Sequence, residues 1–78
     1  MYHAIEFTGD YTFDLETSPK EPLERLNIRK STRLRAEMRP YMVETVEGPV
    51  EVADLFFEDG TAARQVRFES FRFVEEAD

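Results

Sequence analysis

Two stretches, residues 50–57 and 61–68, fall into register around Glu58, Asp59 and Gly60. No other feature constrains the fold of this chain as much. With Gly60 in the left-handed position that closes a three-residue hairpin loop, counting outward sets Val50 against Phe68, Val52 against Val66 and Phe56 against Ala62. Asp54 then faces Arg64 and Glu51 faces Arg67, two pairs of opposite charge. A two-residue loop of Asp59 and Gly60 would instead oppose Leu55 to Arg64 and Glu51 to Phe68, setting apolar against charged. Turn chemistry, apolar pairing and charge pairing agree on one register, the mark of a specified β-hairpin.

A chain of 78 residues holds one small domain, spanning 1–78, with 75–78 expected as a frayed acidic tail. It has no cysteine, which excludes disulfides and thiolate metal sites and fits a cytoplasmic location. Neither a membrane-length apolar run nor a basic-then-apolar leader occurs, so a membrane partner is not expected. A 41% hydrophobic composition with 13% aromatics argues for a folded chain despite 35% charged residues. The net charge of −7 is unevenly spread: residues 25–39 carry +5 between two acidic flanks of −5 and −7.

Residues 2–8 and 11–16 alternate with period two, as half-buried strands do. A hairpin through Thr8, Gly9 and Asp10 would put Phe7 opposite Tyr11, Ile5 opposite Phe13 and His3 opposite Leu15, all on one face. Ser18 with Glu21 reads as a capping box with Pro19 at the first helical position, so a short helix or 3-10 turn is expected near residues 19–27. Residues 31–39 return to alternation, Thr32, Leu34, Ala36 and Met38 on one side, Arg33, Arg35, Glu37 and Arg39 on the other. Pro40 should separate them from a strand over 41–47, and either Gly48-Pro49 or a four-residue loop from Val46 turns the chain. Both turns keep Tyr41 and Val43 on the face of Val50 and Val52. Past Val66 and Phe68 the apolar phase changes to Phe71 and Phe73, which a bulge near Glu69 and Ser70 would absorb. The expected fold is therefore all-β, a small antiparallel barrel or rolled sheet of about six short strands.

No catalytic constellation emerges. His3 is the single histidine, with no serine or acid placed beside it by sequence. Ser18, Ser31 and Ser70 read as cap, turn and bulge residues. The acids around Gly60 lack the alternating spacing of a calcium loop, and the three glycines are isolated turn residues. No enzyme activity, cofactor, metal or small-molecule substrate is indicated. Arg29, Arg33, Arg35 and Arg39 form the one candidate anion site. Their pairing with the chain's own seventeen acids is the plainer expectation, and a −7 chain repels polyanions, so nucleic acid is an unfavoured partner.

The aromatic surplus points elsewhere. Leu55 and Phe57 form an apolar face of their own, away from Val50, Val52 and Phe56, and a strand apolar on both sides must be covered on both. Leu55, Phe57, Phe71 and Phe73 are therefore the expected protein interface. The functional expectation is a non-enzymatic binding or assembly module acting through protein–protein contact, as a homo-oligomer or an accessory subunit. The alternative is recognition of nucleotide or single-stranded nucleic acid by the arginine strip.

Overall fold

The computed structural model describes residues 1–75. Of the expected frayed tail only Glu75 falls among them, exposed beyond the last strand; 76–78 lie outside. The chain runs β1 (His3–Phe7), β2 (Tyr11–Glu16), β3 (Glu24–Ile28), β4 (Arg33–Thr45), β5 (Gly48–Phe57), β6 (Ala62–Arg67), a 3-10 turn (Phe68–Ser70) and β7 (Phe71–Phe73). All described strands join one antiparallel sheet in the order β3-β2-β6-β5-β4-β1-β7, curled into a half-barrel.

The central hairpin forms around Glu58, Asp59 and Gly60. Gly60 has φ +90, the Phe57 amide donates to the Thr61 carbonyl at 2.9 Å, and Phe56 pairs with Ala62. Asp54 meets Arg64 as expected, at 3.0 Å. Beyond that point the register slips by one residue, so Ala53 pairs with Val66 and Val52 with Arg67. The expected pairs Val52–Val66, Glu51–Arg67 and Val50–Phe68 therefore do not form.

The cause is a bulge at Gln65, whose φ of +52 is unusual for a residue with a side chain. Asp54 holds that bulge. Its Oδ1 accepts the Gln65 amide at 3.1 Å and the Tyr41 hydroxyl at 2.8 Å, while Oδ2 accepts from Arg64. Burial alone would push the Asp54 carboxyl up; these three donors outweigh it and hold it below the ordinary value. Arg64 also reaches Glu16 on β2 at 3.0 Å and lies 5.3 Å above the Phe56 ring.

β5 turns its odd-numbered residues inward on both sides of the bulge, and the slip brings Val66 of β6 onto that same inner side, opposite Ala53. Ala53 and Leu55 are fully buried in the core with Ile5, Phe7, Phe13, Ala36, Ala63, Val66 and Phe71. Leu34 and Met38 of β4 pack against it, while Arg33, Arg35, Glu37 and Arg39 point out as the alternation requires. Val50, Val52 and Phe56 lie on the outer side with Tyr41 and Val43, reversing the expectation for β5. Val52 is nonetheless buried there.

Further expectations change. β1 and β2 do not form a hairpin: β1 lies between β4 and β7, and β2 between β3 and β6. Phe7 and Tyr11 still meet, but as rings stacked 5.9 Å apart. Glu6 shows why β1 goes where it does, since it takes Arg33 of β4 at 2.9 Å and Arg72 of β7 at 2.8 Å. No helix forms over 19–27. Residues 18–21 make one hydrogen-bonded turn, and Glu24–Ile28 is a strand with Leu26 and Ile28 facing inward beside Phe13 and Tyr11. Pro22 removes an amide where a helix would begin, which leaves the alternation of Arg25, Leu26, Asn27 and Ile28 to decide.

The third change is at the aromatic phase break. It is absorbed by the 3-10 turn rather than a bulge, and the turn carries the chain from the β6 wall to β1. Ser70 closes the turn onto the Arg67 carbonyl at 2.6 Å.

β4 runs unbroken through Pro40, and its turn with β5 is the two residues Val46 and Glu47, neither of the expected loops. The parity is the same, so Tyr41 and Val43 share the face of Val50 and Val52 as expected, with Tyr41 paired to Val52 and Val43 to Val50.

Candidate functional site

An open cleft of about 400 Å³ lies where the half-barrel is not closed. Phe13 and Leu15 of β2, Leu26 and Ile28 of β3, Leu34 of β4 and Phe57 of β5 line it. They reach one surface because period-two alternation points each of them inward from its own strand. Phe57 is half-buried at the cleft, its ring 6.4 Å from Phe13. The rim is polar and already bonded. Arg35 pairs with Glu58 at 2.7 Å, and Asp59 Oδ1 accepts both the Thr61 hydroxyl at 2.6 Å and its amide at 2.9 Å. Those two bonds hold the Asp59 carboxyl below its ordinary value.

A second, polar hollow of about 410 Å³ adjoins the cleft through Ile28 and includes Asp10, Thr12, Asn27 and Arg29. Three of its side chains are engaged: Thr12 donates to Asn27 at 2.8 Å and Asp10 accepts the Lys30 amide at 2.9 Å. Among the described residues no three of His, Asp and Glu gather as a metal-holding cluster. None of the described helical segments is long and apolar enough to cross a membrane. The chemistry the cleft offers is apolar burial with a charged rim.

The expected interface residues part company. Leu55 is fully buried and Phe71 is 6% exposed, so both serve the core and neither is available for contact. The inward turn of the odd positions of β5 explains Leu55; pairing of Phe71 with Phe7 inside the curl explains the other. Phe57 lines the cleft, and Phe73 is 54% exposed on the edge strand β7, with the His3 ring edge-on at 5.7 Å. The arginine strip also divides. Arg33 and Arg35 hold Glu6 and Glu58, whereas Arg29 and Arg39 make no side-chain bond among the described residues.

Sequence reasoning missed Leu26 and Ile28 as cleft residues. Their alternation with Arg25 and Asn27 was the available signal, masked by the proline-rich capping pattern upstream. Comparison of the chain with protein-family models, with curated proteins and with solved structures finds no match in any of the three.

Proposed function

We propose that this protein is a non-catalytic binding module that works through protein–protein contact, as a self-associating or accessory subunit in the cytoplasm. The observation that carries this reading is the open cleft, walled by apolar side chains from four strands and left uncovered by the chain's described residues. A surface of this kind is costly in water and favours apolar side chains of another chain.

Capture with the folded protein as bait, beside an Ile28→Asp variant whose fold is checked by circular dichroism, tests the reading. The expected result is a protein, its own copy or another chain, enriched by the wild type and lost with the variant. Equal recovery by both baits would overturn the role of the cleft.

The arginine strip supports a second reading, anion recognition, through Arg29 and Arg39, which keep free guanidinium groups among the described residues. Against it stand the carboxylate partners of Arg33 and Arg35. At a Debye length of about 8 Å those acids act at the same range as the arginines. Titration with single-stranded nucleic acid and cyclic dinucleotides near physiological salt is expected to show no binding. Micromolar affinity that weakens steeply with salt and is lost in an Arg29→Glu/Arg39→Glu variant would promote this reading.

A further inference from the structure

The end of the β4–β5 hairpin stands apart from the rest of the sheet. β1 covers β4 only as far as Ala36, and β6 covers β5 only as far as Val52. Met42–Thr45 and Gly48–Glu51 therefore pair only with each other in the ladder. A two-stranded ribbon of this kind is marginal in water on its own. Its side chains do not suit a merely solvated tip: Met42 is 58% exposed and Val46 fully exposed, beside Pro49.

Strand addition is hindered on the β5 edge of this arm and at the base of its β4 edge. Pro40 pairs with Ala53 and Pro49 with Glu44, so the prolines lie on opposite strands at positions of the same class in the ladder. A proline can occupy only the non-hydrogen-bonded class, where its nitrogen faces outward. Pro49 thus removes an outward N–H within the arm and Pro40 removes one just before it, a device that hinders edge-to-edge pairing. The tip and faces of the arm are the surfaces left for contact on its β5 side.

The arm's charge narrows the occupant. Glu44, Glu47 and Glu51 are its only charged residues, and their carboxylates have no partner among the described residues. Arg29, at the cleft end next to Ile28, and the adjacent Lys30 have side chains equally without a partner among them. The nearby acids are engaged, Glu58 by Arg35, Asp59 by Thr61 and Asp10 by the Lys30 amide.

Tip and cleft lie at opposite ends of β5, ten residues long, hence roughly 30 Å apart. A single chain cannot bring them together. A two-fold axis perpendicular to β5 brings each tip to the other molecule's cleft, and such an isologous contact closes on itself.

We infer that two copies of this chain form a two-fold dimer by exchanging arms, Val46 of each seated in the apolar cleft of the other, with Glu44 and Glu47 facing Arg29 and Lys30. This rests on the protein-contact reading above and names its partner as a second copy.

The chain's lack of cysteine makes the test direct. Val46→Cys protein is mixed with Glu58→Cys protein and oxidised, alongside each variant alone. A disulfide needs Cα atoms within about 7 Å, so the mixed covalent dimer forms only if tip meets cleft rim. In parallel, sedimentation equilibrium up to about 100 µM compares the wild type with Glu47→Lys, Arg29→Glu and the double variant. The expected results are a dominant mixed disulfide, a wild-type dimer, about tenfold or greater weakening in each charge variant, and recovery in the double variant. A dimer indifferent to these changes, with no mixed disulfide, would overturn arm exchange and leave self-association standing. A monomeric wild type at the highest concentration would overturn it too and leave the cleft to a different chain.

Discussion

The two halves of β5 share one strand and little else. From Ala53 to Phe57 the inward side chains are Ala53 and Leu55, enclosed by β4, β6 and the core beyond, and Phe57, half-buried on the cleft wall. From Gly48 to Glu51 the same side of the strand carries Pro49 and Glu51, and the apolar residue Val50 sits on the other. Apolar residues thus change sides along a single strand. In the core half burial is set by neighbours on both edges; in the arm there is one neighbour and no core. The comparison teaches that a valine in a strand says less about where the interior lies than the number of strands beside it.

The sharpest way to break this contrast is to truncate one apolar side chain in each half and compare stability by urea unfolding. Leu55→Ala removes a fully buried side chain and should cost about 3–4 kcal/mol. Val50→Ala, in the half-exposed arm, should cost about 1 kcal/mol or less. Equal losses would mean that the arm is as firmly packed as the core.

The next effect belongs to the junction of the two halves. Asp54→Ala leaves the Gln65 amide, the Tyr41 hydroxyl and one Arg64 contact without their acceptor, a loss of about 2–3 kcal/mol. Acid should reproduce part of it. Asp54 has a lowered carboxyl pKa for the reasons given above, and Glu6 has one chiefly because Arg72 and then Arg33 donate to it. A lowered folded value means stability that is complete above the ordinary carboxylate value of about 4 and is lost as pH falls through the folded values. At the other limit burial and then Asp54 push the Tyr41 hydroxyl up. Its contribution is therefore complete below about 10 and is lost as pH rises through the folded value. Unfolding midpoints measured across pH should fall at both limits, and Asp54→Ala should flatten the acid limb.

The smallest effect sharpens the comparison at a single backbone position. Gln65→Gly relieves a left-handed residue at the bulge and should add about 0.5–1 kcal/mol, read as a small rise in the urea midpoint. A clear loss of stability would show that the Gln65 side chain, and not the backbone turn, holds the register slip.

Much of the local structure was legible in the residues. The three-residue loop with Gly60, the Asp54–Arg64 pair and the two faces of β4 all follow from turn chemistry and period-two alternation. The cleft was legible only in pieces: Phe13, Leu15 and Leu34 as inward residues, Phe57 as an exposed one, and Leu26 as part of a helix that does not form.

What the sequence determined by itself is the set of strands that alternate and the turns that join near neighbours, because those depend on residues a few positions apart. Only the tertiary structure decided that β1 lies between β4 and β7, that β7 crosses to it through a 3-10 turn, and that the odd side of β5 faces inward. Alternation names two faces without saying which is covered. That choice belongs to the closure of the whole sheet, where Glu6 is held between arginines of two other strands and one residue at the bulge shifts the register of everything beyond it.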